Sequence, residues 1–272
     1  MSTLDSTHYP APNGPGLHAV QTRGDGAQEL SSWRLHLDPG TGAAFSRDGE
    51  ETAVILQQGS GTWAVGEQSW TVARSGVFQE PATALYLPPG AELTVRAETA
   101  LEAVLISTPV PEGPERTAAL VPPEDVEILQ RGAGAFEREI HNIFLRDPHF
   151  ERLLVGETFN PPGKWSSYPP HKHDGRNGEP YLEEVYHYRL DPEQGFGLQV
   201  LYAAAEEGHE GGEVVHRVQD RDAVVLPFGY HPVAAAPGYR LCYLWILSGD
   251  QRELALYEDP DHVWTHDAPD GR

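Results

Sequence analysis

The stretch "YLEEVYHYRLDPEQGFGLQVLYAAA" (Tyr181–Ala205) contains two segments typical of β-strands, separated by the turn-forming sequence "DPEQG". The first ten residues follow approximately the two-residue period of a strand that is buried on one face. Short segments of this kind, bounded by Gly and Pro, recur along the chain, which has 28 Gly and 24 Pro among 272 residues. This composition disfavours long helices and predicts an all-β protein.

The strand-like segments fall into two groups, which predict two related β-barrels in one chain. A Pro-rich sequence separates the groups and includes "AFEREIHNIFL" (Ala135–Leu145), where Ile140, Ile143 and Phe144 have helical spacing. We therefore expect five regions: an irregular lead-in (1–29), a first barrel (30–110), a linker with a short helix (111–149), a second barrel (150–250) and a polar tail (251–272).

Composition and charge restrict the classes of partner. Hydrophobic residues make up 39% of the chain, which is enough for a core, and the formal net charge is -22. A charge of this sign disfavours nucleic acid and anionic membranes as partners. The single cysteine, Cys242, excludes an intrachain disulfide, and no secretory signal is recognisable. We expect a cytoplasmic protein that binds a small molecule.

The strongest functional signal is a pair of histidines. His171 and His173 are two residues apart, a spacing that points both imidazoles to one face of a strand. Imidazole nitrogen binds several divalent metals, and a carboxylate and a further imidazole would complete a site. Glu184 and His231 lie downstream, each on or beside a predicted strand. The alternative is a surface turn with incidental histidines, but the neighbouring apolar strands favour a metal.

Three long stretches resemble the 5-deoxy-glucuronate isomerase family of bacterial myo-inositol catabolism. They are "LLVGETFNPPGKWSSYPPHKHD" (Leu153–Asp174), "YLEEVYHYRLDPEQGFGLQVLY" (Tyr181–Tyr202) and "DAVVLPFGYHPVAAAPGYRLCYLWILSG" (Asp222–Gly249). Related uronate isomerases of pectin breakdown carry a His-x-His pair, then a Glu before "VY", then a late His. The resemblance implies a bicupin fold, two cupin barrels in one chain, with a metal held in the second by His171, His173, Glu184 and His231.

The spacing between the histidine pair and the glutamate differs from that of most cupins. Ten residues, "DGRNGEPYLE", separate His173 from Glu184, and their Gly, Asn and Pro residues predict a loop that bulges outward. Only one of Glu183 and Glu184 can be a ligand, because neighbouring strand residues face opposite ways. The family position favours Glu184.

The resemblance also implies an activity, the conversion of 5-deoxy-D-glucuronate, an aldose acid, to 5-dehydro-2-deoxy-D-gluconate, a ketose acid. A divalent metal suits this proton transfer, with zinc, manganese or iron as the first candidates. The first barrel has His36 as its only histidine and no His-x-His pair. We expect it to hold no metal and to serve in packing or in a homo-oligomer interface.

Further site residues are chosen from positions close to the ligands. Tyr186 and Tyr188 share the strand face of Glu184, and Glu183 is a candidate second carboxylate. A cation should bind the substrate carboxylate, with Lys172 the first candidate and Arg189 and Lys164 the alternatives. We therefore predict catalytic roles for Glu183, Tyr186 and Lys172.

Two other functional classes fit the same ligands. A metal-dependent cupin dioxygenase would use three histidines and a glutamate for oxygen chemistry, and oxygen uptake would identify it. A non-catalytic cupin that binds sugar acids would show binding without turnover. The chain has no obvious basic patch or DNA-binding helix pair, which disfavours a DNA-binding regulator.

Overall fold

The computed structural model describes residues 3–114, 116–205, 211–249 and 251–267. Strands dominate these residues, and their helical segments are short 3₁₀ turns at Thr3–Ser6, Pro123–Asp125, Gly134–Phe136 and Val263–Asp267. The prediction of an all-β protein is confirmed. Within the described ranges, no helix is both long and apolar enough to cross a membrane.

The strands are numbered in chain order. The first eleven are β1 (His8–Tyr9), β2 (Gly16–Arg23), β3 (Gly26–Ala27), β4 (Ser31–Leu37), β5 (Gly42–Phe45), β6 (Glu50–Val65), β7 (Gln68–Arg74), β8 (Ala84–Leu87), β9 (Leu93–Ala97), β10 (Leu101–Pro109) and β11 (Ala119–Val121). The others are β12 (Glu127–Arg131), β13 (Arg138–Asn142), β14 (Leu154–Asn160), β15 (Trp165–Ser166), β16 (His171–Lys172), β17 (Leu182–Asp191), β18 (Gly197–Ala203), β19 (Gly212–Val218), β20 (Ala223–Leu226), β21 (Val233–Ala235), β22 (Arg240–Gly249) and β23 (Tyr257–Glu258).

The chain forms two compact units whose bounds differ from the predicted regions. The N-terminal unit comprises Pro12–Glu127 and Ile143–Val155, and the C-terminal unit comprises Met1–Ala11, Ile128–Asn142 and Gly156–Arg272. The predicted lead-in and linker are therefore each divided between the units. Segments of the lead-in and of the linker join the C-terminal unit because their strands pair with strands far along the chain, as β1 does with β20. Composition along the sequence does not reveal such pairing.

Strand β6 organises the N-terminal unit. Its sixteen residues pair with β7, β8, β9 and β10. In β9, the sequence "LTVRA" alternates between buried and exposed positions, which is the pattern of a strand with one face on a core. That core includes Trp63, Leu56 and Leu105, all nearly inaccessible to solvent.

A buried glutamate attaches the segment Ile143–Val155 to this unit. Glu51 is fully buried, and its carboxylate accepts hydrogen bonds from the backbone N–H groups of Glu151, Arg152 and Leu153 at 2.8–2.9 Å. Arg116 Nη1 lies 3.9 Å from Glu51 Oε2. Burial raises the pKa of Glu51, and the three backbone donors and the charge of Arg116 offset this desolvation in part.

We predict that Glu51→Ala destabilises the protein by about 2–5 kcal/mol, because three backbone donors lose their charged acceptor. Thermal unfolding followed by circular dichroism measures the effect. The matched control is Glu67→Ala, which removes an exposed glutamate from the turn between β6 and β7 and should leave the transition within about 1 °C. Equal transitions for the two variants would contradict the role given to Glu51.

The C-terminal unit contains the sheets that form the second barrel. A seven-stranded sheet has the order β1-β20-β17-β22-β14-β13-β12, and a four-stranded sheet has the order β15-β21-β18-β19. The Tyr188 hydroxyl on β17 donates to Gln199 Oε1 on β18 at 2.6 Å, so the two sheets face each other across the interior. Strand β17 pairs with β20 and β22 along this interior.

The predicted helix over Ala135–Leu145 is wrong. The chain there forms one 3₁₀ turn and then β13, which pairs with β14 from Glu139 opposite Phe159 to Asn142 opposite Gly156. Short apolar segments fit helix and strand equally well by periodicity alone. Pairing with β14 decides between them because it satisfies the backbone groups of both strands.

Candidate metal centre

The histidine pair lies on a short strand held by the C-terminal part of the chain. His171 pairs with Glu258, and Lys172 pairs with Tyr257, in the two-stranded sheet of β16 and β23. The backbone N–H of Asp259 also donates to the Pro170 carbonyl at 2.8 Å. Residues about 85 positions downstream thus fix the histidine strand, a contact that no local sequence pattern predicts.

Three of the four predicted ligands converge in the interior. Ligand atoms of His173, Glu184 and His231 all lie within 4.8 Å of one another, and all three residues are buried. Glu184 Oε2 is 3.0 Å from His173 Nε2 and 3.4 Å from His231 Nε2. The fourth predicted ligand, His171, lies beside this cluster, with its ring centre 4.9 Å from that of His231.

Backbone carbonyls orient two of the imidazoles. The Nδ1–H of His173 donates to the Leu182 carbonyl at 2.7 Å, and the Nδ1–H of His231 donates to the Gly229 carbonyl at 3.0 Å. Because a carbonyl can only accept, each ring keeps its Nδ1 proton and turns Nε2 towards Glu184. Such carbonyl partners are typical of histidines that bind metals.

The donor set fits a divalent cation. His231 Nε2 is buried and has no hydrogen-bond partner among the described residues, which is costly for a polar atom unless it binds a ligand. Nitrogen donors from neutral imidazoles and one carboxylate oxygen match the ligands of zinc, manganese or iron sites.

Burial and mutual charge favour neutral imidazoles at two positions. Burial, with additional repulsion from His173 and Arg138, lowers the pKa of His171 to about 3. Burial and the other two imidazoles likewise hold the pKa of His231 well below its usual value. A neutral imidazole is the form that binds a metal.

The pKa values of Glu184 and His173 are both raised, in contrast to the lowered pKa values of His171 and His231. Burial raises the pKa of Glu184, although the hydrogen bond and charge of His173 partly offset this effect. Burial lowers the pKa of His173, but the hydrogen bond and charge of Glu184 outweigh it and leave that pKa raised. The Glu184 carboxylate therefore favours a positively charged neighbour, either a protonated His173 or a bound cation.

The amino-acid sequence also matches a known protein family over most of its length. The KduI/IolB family profile matches residues 9–265. The chain belongs to the KduI/IolB family. Among its relatives, a 5-deoxy-glucuronate isomerase from Geobacillus thermodenitrificans (strain NG80-2) is 38% identical over 220 residues, which cover 79% of this chain and 78% of that protein. One from Bacillus subtilis (strain 168) is 32% identical, with coverage of 84% and 85%.

Solved structures agree with the family membership. An IolB-like protein from Salmonella typhimurium LT2 superposes with a TM-score of 0.87 at 30% identity, covering 95% of this chain and 98% of that one. The fold is also similar to that of Bacillus subtilis oxalate decarboxylase, with a TM-score of 0.61 at 16% identity and coverage of 95% and 78%. The prediction of a bicupin fold is confirmed. At 16% identity, the oxalate decarboxylase similarity concerns the fold alone.

Within this KduI/IolB chain, β17 separates the two neighbouring glutamates. Glu184 belongs to the cluster, and Glu183 is buried on the opposite face of the strand. Of the two glutamates, Glu184 is therefore the one placed to be a metal ligand. The predicted catalytic role of Glu183 gains no support, because the strand turns its side chain away from the ligands.

Tyr186 lies where the sequence predicts, on the face of Glu184. Its ring centre is 6.2 Å from that of His231 and 4.3 Å from that of Tyr243, and its hydroxyl is 3.2 Å from Ser167 Oγ. Burial, with additional repulsion from Glu184, raises the pKa of Tyr186 well above its usual value. Tyr186 thus keeps its proton near neutral pH and can act as a hydrogen-bond or proton donor.

The two cations ranked first for the substrate carboxylate already have acidic partners. Lys172 is fully buried, and its Nζ lies 2.5 Å from Asp174 and 3.1 Å from Glu179. Arg189 Nε donates to Asp220 Oδ1 at 3.0 Å. The predicted role of Lys172 in binding substrate must be corrected, because its ammonium group is buried against the carboxylates of Asp174 and Glu179 and is not exposed to a substrate.

The ten-residue insertion forms a closed loop, as the sequence predicts. Asp174 and Tyr181 form a bridge at its base, and the positions between Asp174 and Glu179 are exposed. Glu179 accepts the backbone N–H groups of Arg176 and Asn177 and also binds Lys172. Lys172 therefore stabilises the loop that returns the chain to Glu184.

Gln199 belongs to the site, although no sequence pattern described above predicts it. It is fully buried, and its Nε2 donates to the carbonyls of His231 and Pro232 at 2.9 and 3.3 Å. Its Oε1 accepts from the Tyr188 hydroxyl. Gln199 thereby links β17 to the backbone that carries His231. A Gln in the apolar pattern "GLQVLYA" was the available signal.

We predict that His173→Ala loses most of its bound metal, because a cluster ligand is removed. Purified protein loaded with zinc, manganese or iron and then desalted would be analysed by mass spectrometry of the metal, with one equivalent per chain expected for wild type. His266→Ala, which removes an exposed histidine, is the control. Unchanged metal content in His173→Ala would contradict the site.

We also predict that Gln199→Leu weakens metal binding by roughly 10- to 100-fold, the usual effect of removing a residue that orients a ligand. Competition with a chelator of known affinity measures the change. Gln219→Leu, at an exposed position, is the matched control. If both variants compete with the chelator as wild type does, Gln199 does not position His231.

Proposed function

We propose that this protein is a 5-deoxy-glucuronate isomerase, which converts 5-deoxy-D-glucuronate to 5-dehydro-2-deoxy-D-gluconate in myo-inositol catabolism. The observation that carries the proposal is the buried cluster of His173, Glu184 and His231 in a chain of the KduI/IolB family. The relatives reported above are named for this activity.

The reaction moves hydrogen between two neighbouring carbons without net oxidation. A base removes the proton on the carbon next to the aldehyde, giving an enediolate. Reprotonation at the former aldehyde carbon then yields the ketone. We propose that His171, His173, Glu184 and His231 hold a divalent zinc, manganese or iron ion. When bound, such an ion would polarise the carbonyl and stabilise the negative charge of the enediolate.

Tyr186 supplies a proton donor next to the ligands. Its raised pKa keeps the phenol protonated, so it can donate to a substrate oxygen on which charge develops. Ser167 holds the hydroxyl from the side, and Tyr243 packs against the ring. The buried setting strengthens this hydrogen bond, because little water competes for the substrate oxygen.

We predict that the metal-loaded protein isomerises 5-deoxy-D-glucuronate and that a chelator abolishes the activity until metal is restored. Proton NMR in D₂O would follow loss of the aldehyde signal and appearance of the ketose. Solvent deuterium at the former aldehyde carbon is expected for a proton that exchanges at the enediolate stage. The His173→Ala variant serves as the metal-deficient control.

The same samples distinguish the other functional classes. Oxygen consumption that depends on substrate would indicate a dioxygenase and contradict the isomerase proposal. Tight binding of the sugar acid by metal-loaded wild type without any product would indicate a binding protein. Product that retains all its carbon-bound protons would preserve the isomerase activity but require a shielded transfer or a hydride shift.

A further inference from the structure

A uronate substrate requires a cation as well as a metal, and this requirement rests on the function proposed above. The chain has a net charge of -22, which repels a carboxylate at long range. An open-chain uronate carries its aldehyde and its carboxylate at opposite ends. A group other than the metal must therefore bind the carboxylate when the metal binds the carbonyl end.

Strand β13 places Arg138 on the interior face of the C-terminal unit. A side chain at Gly156 on β14 would meet the Trp245 ring, and Trp245 is paired with Tyr186 on the interior face of β17, so Gly156 and Thr158, two residues on, face the interior. Ile140 is paired directly with Thr158 and shares its face. Arg138 is two residues from Ile140 in the same strand and therefore lies on that face too.

Aromatic contacts connect Tyr243, on the same interior face, to the metal ligands. Tyr243 packs against Tyr186 with ring centres 4.3 Å apart, and Tyr186 lies 6.2 Å from the ring of His231. The charge of Arg138 acts on both tyrosines and on His171. The charge of Arg138 thus acts on residues of the site, and Arg138 is not one of the clustered ligands.

Arg138 has no acidic partner among the residues that the structure describes. Its Nη1 donates to the Phe136 carbonyl at 3.1 Å, and no ion pair of Arg138 is found in those ranges. Three other arginines of the same unit are paired: Arg189 and Arg221 with Asp220, and Arg240 with Asp191. Arg131, Arg176 and Arg217 also lack an ion pair among the described residues, but these three are exposed, whereas Arg138 is half-buried. A half-buried guanidinium with free donors retains the ability to bind an anion.

We propose that Arg138 binds the substrate carboxylate and thereby selects uronates over uncharged sugars of the same shape. The planar guanidinium can donate two parallel hydrogen bonds to a carboxylate. Its bond to the Phe136 carbonyl fixes one end of the group and leaves the other nitrogens available. The metal ligands and Arg138 would then hold opposite ends of one substrate.

The test compares two substrates in four proteins. The substrates are 5-deoxy-D-glucuronate and the analogue in which CH₂OH replaces the carboxylate. The proteins, all loaded with metal, are wild type, Arg138→Gln, Arg138→Lys and Arg131→Gln. Arg131 is exposed on the neighbouring strand β12, so its variant controls for the loss of one positive charge. Metal content and thermal unfolding confirm that each variant is folded.

We expect Arg138→Gln to lower kcat/KM for the acid by roughly 10- to 150-fold, the range for a lost charge-assisted contact. The value for the uncharged analogue should change less than about threefold, so the preference for the acid largely disappears. Arg138→Lys should retain part of the preference, and Arg131→Gln should keep all of it. An equal loss for both substrates, or no loss for the acid, would overturn the proposal.

Binding measurements separate this proposal from the isomerase assignment. Calorimetric titration with D-glucuronate and with D-glucose requires no turnover. If wild type fails to isomerise 5-deoxy-D-glucuronate but binds glucuronate in a manner that depends on Arg138, the carboxylate site stands and the proposed reaction fails. No preference for glucuronate in wild type would overturn the carboxylate site. A preference that is lost in Lys164→Gln but kept in Arg138→Gln would also overturn it.

Discussion

The carboxylate of Glu184 is buried between two imidazoles, and the second barrel is arranged around that charge. Removing a carboxylate from water costs several kcal/mol unless hydrogen bonds and positive charge replace the lost solvation. His173 and His231 turn Nε2 to the carboxylate because backbone carbonyls occupy their Nδ1 protons. A divalent cation bound by all three residues would satisfy the carboxylate together with His231 Nε2, which has no hydrogen-bond partner in the part of the chain that the structure describes.

The outer supports of this site come from distant parts of the chain. Strand β17 carries Glu184 and Tyr186, and β18 contributes Gln199, which holds the His231 backbone. The C-terminal strand β23 pairs with the histidine strand β16. Because each ligand has a neighbour from another element, displacement of one element would disturb several ligands at once.

The sequence predicted the parts of the site that depend on local patterns. Strand alternation placed Glu184 and Tyr186 on one face, and the glycines near Asn177 indicated the exposed loop. It did not predict β13 or the role of Gln199, because both depend on pairing with residues elsewhere in the chain. The expectations of a metal-free first barrel and of a homo-oligomer stay predictions.

Lys172 shows why the sequence alone misassigned a cation. A lysine between two ligands resembles a substrate-binding group, yet the alternation that points both histidines inward must point Lys172 the other way. There it meets Asp174, Glu179 and the ring of Tyr257. The Lys172 ammonium therefore stabilises the contact between the inserted loop, through Asp174 and Glu179, and strand β23, through Tyr257. Arg138 differs from Lys172 in both respects. It lies on the interior face of its strand, and it has no acidic partner within the described ranges. Its charge can therefore act on a bound anion, as proposed above.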